Sequence, residues 1–377
     1  MMTITTCQTP SDRRLFERIP EMLHGTEASF VPPFPGSIAK FLKPDSLFNR
    51  QDGKITAFIA RRDGRPVGRI AAIQNRSHNA YWNDRVGFFG FFACEDDKEA
   101  AIALFEAAEE ALREAGCDAI RGPYNPSINE ECGMLTEGFD GPPSISMPWN
   151  PPYYTRLMES VSQEVTRTLL AYHLPLHIGI PPRVQRVANR LKERSKNVRI
   201  RSFDMSRLDE ELRLAHRLYN VTLDRNWGFV PISLEDLLAS AEDLKAFADP
   251  DFLIFAEVDG EPVALMLTLP NFNEILIRTK GVPQWLRLPW ILWLMKTHKI
   301  QTVRQVVLGI APEHRDRGLA GLLCNDMVLR TQRTAHSAEL SWIEANNEQV
   351  INIIGLMGAK QSRTYAIYEK PLQSNAG

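Results

Sequence analysis

Cysteine is scarce in this sequence, and its distribution excludes the sites that cysteine clusters build. The five cysteines are odd in number, lie scattered along the chain and form no Cys-x-x-Cys pair. Such spacing indicates neither a zinc site nor a disulfide framework. We therefore expect reduced thiols, no metal cofactor and a cytoplasmic protein.

Long apolar runs and an excess of one charge are also missing. No stretch contains the roughly 18–20 apolar residues that span a bilayer, and the polar segment 1–14 lacks the apolar core of a signal peptide. The formal net charge is -2, so the global charge gives no reason to expect a nucleic-acid partner.

The sequence does contain enough material for two globular domains. It has 377 residues, of which 44% are hydrophobic and 24% charged. This composition is typical of a globular protein, and the length suits two hydrophobic cores.

A weak internal repeat supports a division into two similar parts. Residues 60–67 and 256–263 each run from an apolar stretch through Asp-Gly into Pro-Val. Asp-Gly between two apolar runs is a strong signal for a β-hairpin. We interpret the repeat as two copies of one fold; two unrelated hairpins with the same turn are the alternative.

Apolar strands followed by amphipathic helices continue both copies. In the first copy, a strand over 86–92 precedes a helix over 98–115 with apolar residues on one face. The second copy has the same order, with further elements before its hairpin: strand 198–203, helix 206–226, strand 303–310 and helix 318–335. We therefore expect an α/β fold with mixed sheets, in two fused copies.

The run from Arg315 to Ala320 predicts an anion site, because it joins a strand to a helix. The first N–H groups of a helix have no intrahelical partner, and the helix dipole places partial positive charge there. Gly318 and Ala320 let the backbone approach phosphate oxygens, and Arg315 and Arg317 add positive charge. An ordinary strand-to-helix turn is the alternative.

The spacing Arg-x-x-Gly-x-Ala after this strand resembles the acyl-CoA diphosphate loop of the GCN5-related N-acetyltransferase (GNAT) superfamily. The order strand, helix, hairpin, strand, loop, helix, strand also resembles that fold. The resemblance implies acyl-CoA as co-substrate, with the diphosphate held by Arg315, Arg317, Gly318, Leu319 and Ala320. By position, it also implies that backbone N–H groups of Leu308 and Ile310 hold the thioester and the pantetheine.

The first copy differs from the second at this loop. Where the second copy has its diphosphate loop, the first has Cys94-Glu95-Asp96-Asp97-Lys98-Glu99. These four carboxylates suit a helix start but repel a diphosphate. We expect a degenerate first copy in residues 1–175, which shapes the substrate cleft, a basic linker or helix in 176–197, and the CoA-binding copy in 198–377.

The segment 183–201 between the copies is strongly basic. It carries eight lysines and arginines and a single acid, Glu193. Two interpretations remain open: a solvated helix face or linker, and a contact with anionic groups of lipid headgroups or of CoA.

Glu344 is the candidate general base for removing a proton from an amine acceptor. It ends an apolar strand, beside the place where the central strands of the superfamily separate. A solvated glutamate at a strand end is the alternative.

The C-terminal segment also resembles the superfamily, but it lacks the tyrosine of the superfamily's pattern. Asn347 matches the start of its Asn-x-x-Ala-x-x-x-Tyr pattern, which implies a place at the cofactor site, but Ile354 stands at the position of the tyrosine. That tyrosine often protonates the leaving thiolate. Tyr365 and Tyr368 are candidate replacements, unless they only pack their rings or no acid is used.

A tryptophan-rich segment over 281–300 suggests contact with lipid. Trp285, Trp290 and Trp293 lie among leucines and basic residues, a composition that suits a membrane interface. We expect these tryptophans to contact a lipid substrate or the inner face of the membrane. A helix packed in the interior is the alternative.

Nearly the whole chain resembles a bacterial tandem-GNAT family. The runs Gly-Pro-x-Asn-Pro-Ser-Ile-Asn over 122–129 and Pro-x-Asn-Pro-Pro-Tyr-Tyr over 148–154 are similar to its first half, and Pro-Glu-His-Arg-x-Arg-Gly-Leu over 312–319 to its second. Bacterial ceramide synthases, which acylate a long-chain sphingoid base, look like relatives. The resemblance implies an acyl-CoA-dependent N-acyltransferase, with sphinganine as the leading acceptor. A small soluble amine as acceptor and a non-catalytic acyl-CoA-binding protein remain alternatives.

Overall fold

A computed structural model describes residues 1–51, 53–244, 249–315 and 317–372, without the side chains of 240 and 242–244. Strands and helices alternate along the chain. The strands are Met2–Thr6 (β1), Gly53–Arg62 (β2), Arg65–Asn75 (β3), Val86–Cys94 (β4), Ala119–Gly122 (β5), Met134–Glu137 (β6), Glu164–Pro175 (β7), Val198–Ser202 (β8), Leu253–Val258 (β9), Glu261–Pro270 (β10), Thr302–Ile310 (β11), Ser337–Glu344 (β12) and Lys360–Pro371 (β13).

Helices connect these strands in both halves of the chain. They are Pro10–His24 (α1), Leu47–Gln51 (α2), Arg76–Trp82 (α3), Lys98–Glu114 (α4), Tyr154–Ser160 (α5), Pro182–Arg194 (α6), Leu208–Thr222 (α7), Leu234–Leu244 (α8), Asn273–Leu276 (α9), Gln284–Thr297 (α10), Leu319–Thr331 (α11) and Glu348–Leu356 (α12). The predicted basic linker thus contains a helix, α6, and the helix predicted from residue 318 ends at Thr331.

The chain divides into two compact units that do not follow the expected linear ranges. The N-terminal unit contains 1–169, 273–298 and the described residues from 363 onward, and the C-terminal unit contains 170–272 and 299–362. The difference has a physical cause, since long-range pairing and packing decide where a segment belongs. Strand β13 pairs with β5 and β6, and α10 forms an ion pair with α1.

The same strand pattern occurs once in each unit. In the N-terminal unit β1, β2, β3 and β4 are antiparallel neighbours, and β4 is parallel to β5. In the C-terminal unit β8, β9, β10 and β11 are antiparallel neighbours, and β11 is parallel to β12. The predicted fold of two α/β copies with mixed sheets is confirmed.

The two predicted hairpins also share their turn. Asp63 and Gly64 have φ angles of 51° and 81°, and Asp259 and Gly260 have 54° and 87°. Positive φ at both central residues is the backbone of a type I′ turn, whose twist matches that of the flanking strands.

Each unit has its own hydrophobic core beneath a long helix. In the N-terminal unit, α4 buries the predicted face of Ala101, Phe105, Ala108 and Leu112 against the sheet. In the C-terminal unit, α11 buries Leu323 and Met327 with residues of β9 to β12. These cores fix the strand ends and helix starts from which the site is built.

Candidate functional site

The site in the C-terminal unit begins where β11 and β12 separate. Their parallel pairing runs from Thr302 opposite Ser337 to Gln305 opposite Leu340. Beyond that point β11 continues along β10 as far as Ile310, while β12 continues without β11 to Glu344. A gap therefore opens between two strands that were neighbours.

Backbone donors of β11 face this gap. The N–H group of Ala311 donates to the carbonyl of Val263 at 2.9 Å, on the side of the preceding strand. Successive peptide groups of a strand point to opposite sides. The N–H groups of Leu308 and Ile310 therefore point away from β10, into the gap between β11 and β12.

The start of α11 presents free backbone next to the same gap. Its N-cap is Gly318, with φ of +79°, and no side chain of the described residues caps the helix there. A Cβ at Gly318 would lie 3.1 Å from carbons of Leu191 in α6, while a Cβ at Gly321 would meet nothing within 4 Å. A close approach on one side and open space on the other leave the first turn accessible to an anion.

The two arginines of the predicted loop have different surroundings. The guanidinium of Arg315 donates from Nε to the carbonyl of Ile310 at 3.2 Å and from Nη2 to that of Thr222 at 2.9 Å. This side chain thus ties the loop to the ends of β11 and α7. Arg317 is exposed, as a ligand to a soluble anion must be, and Asp316 between them lies outside the described residues.

A buried polar network occupies the point where β11 and β12 diverge. Arg304 donates from Nε to the hydroxyl of Ser341 at 3.0 Å and from Nη2 to the carbonyl of Ser341 at 3.1 Å. That hydroxyl donates to Glu339 at 2.8 Å. The network cross-links the strands just before they separate. Sequence reasoning missed it, although an arginine and a glutamate inside apolar strands were a readable signal.

Glu344 lies at the end of β12, beside the loop that follows α7. Its carboxylate accepts a hydrogen bond from the backbone N–H of Trp227 at 3.3 Å, and its side chain is half-buried. Asn347 caps α12, because its side chain accepts from the N–H of Val350 at 3.2 Å. Ile354, at the position of the missing tyrosine, is buried in the core.

The candidate acids Tyr365 and Tyr368 lie in the N-terminal unit instead. Both are buried in β13, and Tyr368 belongs to the hydrophobic core of that unit. Burial raises the pKa of Tyr368 to about 12, with the nearby Glu159 as a further cause. The structure therefore does not place them in the unit that holds Glu344.

In the first copy, the strand end that matches Ile310 is already occupied by the protein's own side chains. The N–H of Phe91 donates to the side-chain oxygen of Asn125, and the N–H of Cys94 donates to the hydroxyl of Tyr154 at 2.8 Å. The hydroxyl of Tyr153 donates to the carbonyl of Cys94 at 2.7 Å. The proline-rich runs of the first copy thus supply groups that close its own strand end.

A buried histidine completes this closure. His24 Nε2 lies 2.9 Å from the Tyr154 hydroxyl, and burial, followed by the charge of Arg69, lowers the pKa of His24 to about 4. Burial also raises the pKa of Tyr154 well above its usual value. The neutral imidazole of His24 can accept a hydrogen bond from the Tyr154 hydroxyl, while that hydroxyl accepts a hydrogen bond from the N–H of Cys94. The hydrogen-bonding capacity of these buried groups is thus satisfied within the protein.

The backbone N–H groups at the start of α4 are also bonded by a side chain of the protein. The carboxylate of Asp97 caps this helix and accepts from the N–H groups of Glu99 at 3.0 Å and Ala100 at 3.2 Å. It also pairs with Arg62. An internal carboxylate therefore caps α4 at the position where no described side chain caps α11.

The tryptophan-rich helix α10 differs from an ordinary surface helix, because it buries an arginine and exposes most of its large apolar side chains. Its buried positions are Arg287, Ile291 and Leu294, and Arg287 forms an ion pair with Glu21 of α1. Its exposed positions are largely apolar, with Trp285 78% exposed. The other exposed apolar side chains of this helix are Leu286, Leu288, Trp290, Leu292 and Trp293.

Within the described part of the chain, no helix has both the length and the apolar character to cross a bilayer. Nor do the described His, Cys, Asp and Glu side chains form a group of three or more suited to a metal ion.

Comparison with known proteins identifies relatives over the full length of the chain. The bacterial ceramide synthase of Caulobacter vibrioides is 30% identical over 379 residues, covering 98% of both chains. Protein YghO of Escherichia coli is 27% identical over 373 residues, covering 96% of this chain and 93% of that protein. No family model matches the chain.

A solved structure shares the fold over the same length. A tandem GNAT protein from the clavulanic acid biosynthesis pathway superposes with a TM-score of 0.57 at 12% identity, covering 99% of each chain. The predicted resemblance to tandem GNAT proteins is confirmed. The chain therefore belongs to the family of tandem GNAT-fold acyltransferases that includes the bacterial ceramide synthase of Caulobacter vibrioides.

Proposed function

We propose that the protein transfers an acyl group from acyl-CoA to an amine, and that only the second copy binds the CoA donor. The observation that carries the proposal is the contrast between the copies. No described side chain caps the start of α11, and the N–H groups of Leu308 and Ile310 point away from β10. The corresponding groups of the first copy bond to Asp97, Asn125 and Tyr154.

The geometry supports separate binding positions for the diphosphate and for the pantetheine and thioester of acyl-CoA within the C-terminal unit. The first turn of α11, with Gly318, Leu319 and Ala320, receives the diphosphate, and Arg317 adds positive charge. The N–H groups of Leu308 and Ile310 receive the pantetheine and the thioester carbonyl. A donor on that oxygen stabilises the negative charge that develops there as the amine attacks.

The two arginines of the loop contribute differently in this proposal. Arg317 contacts the diphosphate, whereas Arg315 positions the loop through its bonds to two backbone carbonyls. Asn347 acts indirectly too, by capping α12.

Proton transfer in this proposal depends on Glu344. A carboxylate at the end of β12 can accept the proton that the attacking ammonium must lose. Tyr365 and Tyr368 are assigned to packing, because both are buried in the N-terminal unit. With Ile354 offering no hydroxyl, the CoA thiolate leaves without a side-chain acid.

The proposed acceptor is a long-chain amino lipid such as sphinganine. The name of the Caulobacter relative, a ceramide synthase, supports a sphingoid acceptor, and the apolar exposed face of α10 supports contact with lipid. We also propose that Trp285, Trp290 and Trp293 meet the inner face of the membrane, where amphipathic indole rings are favoured. Sedimentation of α10 variants with vesicles tests that contact.

Incubation with sphinganine and a series of acyl-CoA donors from C2 to C18 tests the activity. The expected result is an N-acylated sphinganine and free CoA, detected together by mass spectrometry. Preference for acetyl-CoA with a small soluble amine would replace the lipid acceptor. CoA binding without any product would support a binding protein instead.

A further inference from the structure

Helix α6, the turn after it and the start of β8 carry a set of cations that the fold does not use. Among the eight basic residues of segment 183–201, Arg201 pairs with Glu211 at 2.7 Å and also with Glu257. The other seven are exposed, and none has an ion-pair or hydrogen-bond partner among the described residues. They are Arg183, Arg186, Arg190, Lys192, Arg194, Lys196 and Arg199.

This basic helix is fixed against the diphosphate loop. Its inner side packs Val184 and the buried Ala188 into the C-terminal unit, and Leu191 packs with Leu319 and Leu322 of α11. Carbons of Leu191 would lie 3.1 Å from a Cβ at Gly318. The cations of α6 are therefore held beside the start of α11.

Helical spacing places particular cations near that contact. Residues three apart are neighbours on a helix surface, about 5–6 Å between their Cβ atoms. Arg194 is such a neighbour of Leu191, Arg190 lies four residues before Arg194 on the same face of the helix, and Lys192 follows Leu191 in the sequence. Long arginine and lysine side chains at these positions can reach an anion that extends from the first turn of α11.

We propose that the outer surface of α6 binds the 3′-phosphate of the adenosine end of CoA. This inference rests on the proposed function, because it requires the diphosphate at α11. A 3′-phosphorylated nucleoside diphosphate carries a second anionic group beyond its diphosphate. The unpaired cations of α6 are complementary to that group in charge, and arginine can bind phosphate with two parallel hydrogen bonds.

A membrane headgroup is the other source of phosphate, and the helix surface argues against it. The apolar residues of α6 are turned mainly toward the protein, and Val187 is its one exposed large apolar residue among those described. An interfacial helix needs an apolar face to insert. The surface of α10 has such a face, and that of α6 does not.

Calorimetry with CoA and 3′-dephospho-CoA tests the proposal. We expect the unmodified protein to prefer CoA by about tenfold to a hundredfold, since hydrogen bonds between charged groups contribute about 1.5–3 kcal/mol. A double variant, Arg190→Ala with Arg194→Ala, should lose this preference while retaining its affinity for 3′-dephospho-CoA. The control pair Arg333→Ala with Lys360→Ala removes two exposed charges of the same unit that are not part of α6 and should keep the preference.

The other outcomes distinguish failure of the α6 proposal from failure of the proposed acyl-CoA-dependent function. Equal affinity of the unmodified protein for both nucleotides would overturn the role of α6 and leave the proposed function intact. Binding of neither nucleotide would overturn the proposed function itself. Parallel loss of both affinities in the double variant would show a structural effect and reject the phosphate contact. Loss of binding to phosphatidylglycerol vesicles with unchanged CoA preference would assign α6 to lipid and reject it as well.

Discussion

Glu344 is the residue on which the proposed proton transfer depends. Its carboxylate is held at the end of β12 by the N–H of Trp227. Glu344→Gln keeps the size and the hydrogen-bond acceptor but cannot take a proton, so we predict that kcat falls by about 10²- to 10⁴-fold. The affinity for CoA should stay unchanged. Turnover across a pH series, with the exposed Glu348→Gln as control, measures the effect; equal pH profiles for both variants would remove Glu344 from the mechanism.

The sequence identified single residues well where a local rule applies. Gly318 opens α11, as the sequence predicted, and the structure makes it a left-handed N-cap beside Leu191 of α6. Its approach to phosphate oxygens stays a prediction. The bond from Arg315 to Thr222 joins residues 93 positions apart. No local pattern reveals such a partner, so the sequence could not predict that Arg315 ties two elements together.

At the scale of elements, the exposed apolar side chains of α10 are the evidence for a membrane contact. We predict that Trp285→Ala with Leu292→Ala weakens binding to phosphatidylglycerol vesicles by at least tenfold, because full burial of a large apolar side chain contributes roughly 1.5–3 kcal/mol. Both side chains are more than half exposed, and the stacked pair of Trp290 and Trp293 stays intact. Vesicle sedimentation measures the effect, and Trp82→Ala in α3 is a control tryptophan. Undiminished sedimentation of the α10 variant would contradict the contact.

Elements were largely predictable, but the orientation of α10 was not. Apolar residues surround this helix on nearly every side in the sequence, so periodicity alone does not choose its buried face. The choice depends on Arg287, which is 4% exposed and paired with Glu21. A buried arginine needs such a partner, and a partner in α1 cannot be read from the local sequence.

At the scale of the whole molecule, the repeat predicted two copies but not the composition of the units. Residues 273–298 and the described residues from 363 onward belong to the N-terminal unit. Their assignment follows from pairing between β13 and β5 and from the α10 ion pair. Both contacts join distant parts of the chain, whereas the hairpin turns that revealed the repeat are local.

The unequal copies have one consequence for the whole chain: it should bind a single CoA. Gly321, in the first turn of α11, has open space where a side chain would lie. Gly321→Glu therefore places a carboxylate beside the proposed diphosphate without steric conflict, and Gly321→Gln is its neutral match. At about 5 Å and an effective dielectric constant of about 20, one like-charge pair costs about 3 kcal/mol.

Titration calorimetry of CoA with the unmodified protein and these two variants is the most direct test. We predict one CoA per chain and binding to Gly321→Glu at least tenfold weaker, because the added carboxylate repels the diphosphate. Binding to Gly321→Gln should stay within about threefold of the unmodified protein, because glutamine adds no charge and the position is open. Two CoA molecules per chain, or equal affinities of the Glu and Gln variants, would contradict a single diphosphate site at the start of α11.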